Sequence, residues 1–131
     1  MAISTIKATF PCEVSKAWDI ITSLQNYAWR SDLSKIEVTN DDSFVEYTKD
    51  GYATNFTITN TVPCERWEFD MENGNMKGHW TGVFTEKNGQ TESEFTEDVT
   101  AKKIFMIPFV KMYLKKQQER YVADLRRALC Q

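Results

Sequence analysis

Asp50-Gly51, Asn73-Gly74 and Asn88-Gly89 punctuate a stretch rich in Thr, Val, Phe, Tyr and Trp, and they restrict the fold of this chain more than any other feature. An Asn-Gly or Asp-Gly pair is the strongest local hairpin signal, because a type I′ turn needs positive φ at both central residues. Three successive hairpins are therefore predicted up to about residue 100. A two-residue loop at each turn fixes the pairing, and opposed residues share a face of the sheet.

Under that rule the second hairpin pairs Trp67 with Trp80, Phe69 with Gly78 and Met71 with Met76 on one face. The other face pairs Glu68 with His79 and Asp70 with Lys77. The first hairpin puts Val45, Tyr47, Phe56 and Ile58 on the apolar face, and the third puts Gly82, Phe84 and Phe95 there. A sheet with one aromatic and one solvated face calls for a single helical layer over the aromatic side.

The last segment supplies that layer. Val110, Leu114, Gln117, Tyr121, Leu125 and Ala128 or Leu129 recur every three or four residues, with Lys and Arg largely between them. Upstream, Ile6, Ala8 and Phe10 alternate as in a strand that Pro11 ends, and Val14, Trp18 and Ile21 share one helical face. A second short helical turn is predicted around Asn26 to Arg30, with extended chain at Ile36 and Val38.

This order of strand, two short helices, antiparallel meander and long carboxy-terminal helix resembles the α+β helix-grip fold of the START-like (SRPBCC) superfamily. The run Phe10-Pro11-Cys12-Glu13-Val14-Ser15-Lys16-Ala17-Trp18 looks like that superfamily's strand-to-helix opening, and Trp29 stands where many members carry a Trp. The likeness covers essentially the whole chain, residues 1–131 as one domain, and is closest to bacterial polyketide cyclase/dehydrase and lipid-transport proteins. It implies a curved sheet around the long helix, with an internal cavity for a hydrophobic or amphipathic small molecule. The superfamily also contains cyclases, hydroxylase domains, coenzyme-Q-binding proteins, chaperone co-activators and plant hormone receptors, so the fold chooses no function. The glycine-rich loop of the plant pathogenesis-related branch is replaced here by Thr48-Lys49-Asp50-Gly51.

The residues predicted to line such a cavity begin with Trp29, Tyr47, Phe56, Trp67, Phe69, Trp80, Phe84 and Phe95, each of which is also an ordinary core residue by habit. Gly78 and Gly82 flank Trp80 on the same face, where missing side chains mean ligand space or, equally well, sheet curvature. Glu97 falls opposite Trp80. A lone carboxyl on an apolar face is disfavoured unless paired, hydrogen-bonded or protonated, so Glu97 is a polar anchor or a general base with a raised pKa, unless a bulge or longer loop moves it to the wet mouth. Tyr47, Tyr113 and Gln117 are further candidates to orient a polar end. The one histidine, His79, is placed outside, in a cross-strand charge cluster with Glu68 and Asp98.

Charge and composition exclude other classes. Residues 1–100 carry 8 Lys/Arg against 17 Asp/Glu, and residues 101–131 carry 8 against 2. An acidic body without basic and aromatic interleaving argues against nucleic acid, and the basic helix face reads as a solvated one. Ile104–Val110, the longest apolar run, contains Pro108 and is far short of the ~20 residues of a membrane span. The alternating amino terminus does not read as a secretory signal, so a cytoplasmic location is expected. Cys12, Cys64 and Cys130 are widely spaced and read as free thiols, with no metal site and no cofactor expected. The expected role is non-covalent binding of a lipid or polyketide-like molecule. The alternatives are a cyclase or dehydratase using the same cavity, with Glu97 the one catalytic candidate, and a protein-interaction module with a vestigial cavity.

Overall fold

A computed structural model describes residues 2–130. The chain forms β1 (Ala2–Phe10), α1 (Val14–Thr22), β2 (Leu33–Asn40), β3 (Ser43–Thr48), β4 (Ala53–Val62), β5 (Arg66–Glu72), β6 (Met76–Lys87) and β7 (Gln90–Ala101). A 3₁₀ segment, Ile104–Phe109, then leads into α2 (Val110–Leu129). One antiparallel, curved sheet has the order β1-β7-β6-β5-β4-β3-β2, so the first strand pairs with the last and α1 carries the chain to the far edge. This is the helix-grip α+β architecture. The second short helix expected around Asn26–Arg30 is only a turn, closed by the Arg30 amide on the Tyr27 carbonyl at 3.0 Å.

The third hairpin has the predicted register: Trp80 opposes Glu97, His79 opposes Asp98 and Gly82 opposes Phe95. Asn88 and Gly89, at φ 55° and 77°, take the left-handed positions of its two-residue turn. The second hairpin is displaced. Asn73 Oδ1 accepts the amides of Asn75 and Met76 at 2.8 and 3.0 Å, and Asn73 N donates to the Met76 carbonyl, which centres the turn on Gly74-Asn75. Phe69 therefore opposes Trp80 and Trp67 opposes Gly82. A slip of this size keeps every side chain on its predicted face; Trp67 and Trp80 are diagonal neighbours, with centroids 6.2 Å apart.

The first hairpin changes faces. Thr48 N donates to the Tyr52 carbonyl and Gly51 N to the Thr48 carbonyl, enclosing a three-residue loop in which only Gly51 has positive φ. Phe44 consequently pairs with Phe56, and Glu46 with Thr54. Because side chains alternate, Tyr47 turns to the convex face, where Lys35 Nζ lies 4.7 Å from its ring centre, and Glu46 turns inward.

Rings from five strands form the core of the concave face. Phe44 stacks on Phe56 at 4.9 Å, Phe69 on Trp80 at 4.8 Å and Trp80 on Phe95 at 5.3 Å, with Phe56 edge-on to Phe69 at 5.1 Å. At one end Trp18 of α1 seals the row edge-on to Phe84. α2 packs on β1, β7 and α1, while no α-carbon of β2–β6 lies within 8 Å of one of its own. Its buried stripe is Val110, Leu114, Gln118, Val122, Leu125 and Leu129, so Gln118 takes the inward place expected of Gln117. Gln118 fastens helix to sheet by accepting from Ser4 Oγ and donating to the Ser4 carbonyl, both at 2.8 Å.

On the convex face His79 Nδ1 meets Asp70 at 2.6 Å and Nε2 meets Glu68 at 2.8 Å. Partial burial disfavours the imidazolium, but the two carboxylates outweigh it and raise the His79 pKa. A raised folded-state value gives stability that is fully present below the unfolded pKa and is lost as pH rises through the folded one. NMR titration should find His79 above the ordinary ~6.5, falling toward it in Asp70→Asn; a wild-type value below the ordinary one removes the cluster.

Candidate functional site

Where the sheet curves away from α2 it leaves a cavity of about 720 Å³. Phe56, Phe69, Met71, Trp80 and Phe95 floor it from the sheet, and Val110, Tyr113, Leu114, Gln117 and Tyr121 line it from the helix. The volume is that of a drug-sized ligand site, typically ~300 to 1,000 Å³. Lys49, Asp50, Tyr52, Phe109 and Tyr113 are exposed in its lining, so it opens between the β3–β4 loop and the 3₁₀ segment, and Ser31 and Arg120 are exposed beside the Arg30 end. A second concavity, along Ile6, Val122 and Arg126, is an open furrow with no converging polar groups.

One wall of the cavity is polar. Arg30 Nε and Nη2 donate to the two carboxylate oxygens of Asp32 at 3.2 Å, and Nη1 reaches Glu46 at 3.4 Å. The guanidinium also lies 5.0 Å from the Tyr121 ring centre and 5.7 Å from that of Trp29. Burial costs Arg30 hydration, but its acidic neighbours more than compensate and raise its pKa, keeping it charged. Burial pushes the Glu46 carboxyl up against the pull of Arg30. Burial likewise raises the phenols of Tyr121 and Tyr113.

Glu97 shares this space, and among the described residues no side chain or amide hydrogen-bonds its carboxyl. Burial raises its pKa to about 7; Arg30 opposes the shift and Glu46 adds to it, both through space. A carboxyl poised near neutrality can donate a hydrogen bond when protonated and take up a proton when ionised. Among the described residues no group of three or more His, Cys, Asp or Glu is placed to hold a metal ion.

Seven of the residues expected from sequence lie on this cavity: Phe56, Phe69, Trp80, Phe95, Glu97, Tyr113 and Gln117. Trp29 sits behind it, edge-on to Tyr121 at 5.4 Å, while Trp67 and Phe84 pack in the adjoining aromatic core. Tyr47 lies outside, for the reason of register given above. Neither glycine opens ligand space. A Cβ on Gly82 would stand 2.5 Å from the Trp80 ring, and one on Gly78 2.7 Å from the Asp98 carbonyl oxygen. Gly82 makes room for the indole, and Gly78 for close approach of β7.

Sequence reasoning missed Arg30, Asp32 and Glu46. Glu46 was hidden by the one-residue register change, whereas Arg30 and Asp32 lie in an irregular segment with no periodicity to read. That segment is tied down by Asp124, which is buried on α2 and accepts from Ser31 N and Oγ at 2.8 Å and from Arg127 at 2.7 Å. Burial alone would raise the Asp124 pKa, but these donors overcome it and lower it.

A family model described as polyketide cyclase / dehydrase and lipid transport matches residues 1–129. No curated protein matches the sequence. Among solved structures, a START superfamily protein from Mycobacterium smegmatis is 11% identical with a TM-score of 0.86, covering 97% of this chain and 96% of that one. A conserved protein from Geobacillus kaustophilus is 10% identical with a TM-score of 0.83, covering 98% and 95%. DynU16, from the dynemicin biosynthetic locus, is 15% identical with a TM-score of 0.75, covering 97% of this chain and 46% of its own. At these identities the likeness is one of fold.

Two outcomes test the site's electrostatics and packing. Glu97 has a folded-state pKa raised above its ordinary value, so its stabilising contribution is present below the unfolded pKa and is lost as pH rises through about 7. Glu97→Gln should therefore gain about 1–3 kcal/mol on the wild type between about pH 4 and about pH 8 in urea unfolding; equal pH profiles would place Glu97 in water. Gly82→Ala should lose about 1–3 kcal/mol by displacing the Trp80 indole, and an unchanged midpoint would show that the ring lies elsewhere.

Proposed function

We propose that this chain, which belongs to the polyketide cyclase / dehydrase and lipid transport family, binds an amphipathic small molecule non-covalently between its sheet and α2. The observation that carries the reading is the shape and chemistry of one space: about 720 Å³, floored by aromatic rings, with a charged flank at Arg30, Asp32 and Glu46. Transfer of apolar ligand surface from water supplies most of the affinity, at roughly 25 cal/mol per Å² before the costs of ordering. The polar flank supplies orientation.

The character of that flank narrows the ligand. Asp32, Glu46 and Glu97 surround one guanidinium, and Arg30 already spends its fork on Asp32. An anionic head would meet excess carboxyl groups at low dielectric, whereas a hydroxyl, phenol or keto group can pair with Glu97 in one or other protonation state. A lipid or polyketide-like molecule with a neutral oxygenated end fits better than a free fatty acid.

The same Glu97 supports a second reading, in which the cavity folds a polyketide-like chain and this carboxyl moves a proton in a cyclisation or dehydration. A pKa of about 7 beside a ligand-sized space is the feature that favours it.

Native mass spectrometry of the protein from its own host should find a co-purifying molecule of this class. Thr54→Trp, which places a ring in the cavity from β4, should weaken binding of a dansylated long-chain alcohol at least about tenfold, the order of ~1.4 kcal/mol. Glu97→Gln should alter the preference among oxygenated heads and leave wholly apolar probes within about threefold. Undiminished probe binding in Thr54→Trp removes the cavity from consideration. Turnover of a polyketide-like ligand that Glu97→Gln abolishes would decide for the enzyme.

A further inference from the structure

The 3₁₀ segment and the first turn of α2 leave large apolar side chains in water. Ile104 is 86% exposed, Phe105 72%, Phe109 60%, Ile107 56% and Met112 56%. Isolated exposed hydrophobes need no explanation, but five within nine residues form a contiguous patch of the kind that marks an interaction site. The segment touches only β7 and α2, and none of its residues is buried.

The charge around this patch identifies what covers it. Residues 99–118 contain five lysines and no acidic residue, on a chain that is acidic elsewhere. Lys102 is paired with Glu72 at 2.6 Å. Lys103, Lys111, Lys115 and Lys116 have no acidic partner among the described residues, and all four are exposed. Apolar side chains ringed by long cationic ones are complementary to a lipid surface, where the rings enter the acyl boundary and the ammonium groups reach anionic headgroups. A protein partner of equal apolar area would need its own acidic rim, and a second copy of this chain would bring lysine against lysine.

We infer that the Ile104–Met112 segment docks this protein peripherally on an anionic bilayer. Among the described residues no helix is long and apolar enough to cross a membrane, so the contact is superficial. Met106, Phe109 and Tyr113 also line the cavity, and Phe109 and Tyr113 are exposed at its mouth. A docked protein therefore presents the mouth to the lipid phase, and an amphipathic ligand passes between bilayer and cavity without crossing bulk water. The docking stands on the surface alone; only the transfer rests on the ligand-binding reading.

Flotation of the full chain with vesicles tests it. Binding to mixed phosphatidylcholine–phosphatidylglycerol vesicles should exceed binding to phosphatidylcholine alone by at least about tenfold and weaken with salt, since each lysine near an anionic surface strengthens binding about fivefold. Phe105→Asp with Ile107→Asp should abolish the interaction, and Lys111→Gln, Lys115→Gln and Lys116→Gln together should remove the phosphatidylglycerol preference. These side chains are exposed, and near-UV circular dichroism checks that the variants keep the native core. Probe uptake in vesicle-free buffer, unchanged in Phe105→Asp with Ile107→Asp, reads the cavity separately. Absence of flotation with both vesicles, or equal flotation of wild type and the double aspartate variant, overturns the docking. Self-association that Phe105→Asp removes would assign the patch to a second copy instead.

Discussion

The stack of rings across the concave face is the interaction on which the rest of this structure depends. Phe44, Phe56, Phe69, Trp80 and Phe95 come from five consecutive strands, and neighbouring centroids lie 4.8–5.3 Å apart. Each such contact is worth about 0.5–1.5 kcal/mol beyond the area it buries. The row therefore ties β3 through β7 to one another, and Tyr121 of α2 meets it edge-on at Trp80 and Phe95. The backbone of α2 rests on β1 and β7 and keeps its distance from the middle strands, which it meets through long side chains such as Tyr121. A sheet that needed the helix to cover its centre would have no room for a ligand.

The space beside this core is not lined by apolar groups alone, because one flank carries charge. Arg30 is held by two carboxylates and two ring faces, so its charge is compensated within the protein. The segment that carries it has no regular structure of its own. Asp124 supplies the missing rigidity through Ser31, which makes a buried acid on the outer half of α2 part of the site's support.

The extent to which the sequence reveals this depends on how the turn residues behave. Asn88-Gly89 forms the turn that its composition predicts, and every pairing that follows from it is observed. At Asn73 a side-chain oxygen captures two amides and shifts the turn, yet the faces survive because the slip is even. At Gly51 one extra loop residue exchanges the faces of β3, and this exchange replaces Tyr47 with Glu46 in the cavity wall. Fold and aromatic floor were legible because they rest on alternation repeated over many strands. The polar flank was not, because one loop length and one irregular segment determine it, and neither leaves a periodic trace. The glycines misled for a related reason: a missing side chain shows that something comes close, and in both cases it is the protein itself.

The cavity also has two ends. Its exposed lining lies at two places: Lys49, Asp50, Tyr52, Phe109 and Tyr113 at one, and Ser31 and Arg120 beside Arg30 and Tyr121, two turns farther along α2, about 12 Å at the usual helical rise. Glu97, four residues inside the end of β7 at Ala101, acts through space on Tyr113 as well as on the Arg30 flank. An occupant therefore meets polar groups at both ends and apolar rings between them. Three carboxyl groups around one guanidinium favour a neutral head over an anionic one, since an anion would lose its hydration there with no free counter-charge to replace it. With a pKa of about 7, Glu97 is present in both protonation states near neutral pH. A neutral carboxyl can share a hydrogen bond with the arriving group, while an ionised one would first have to be stripped of water.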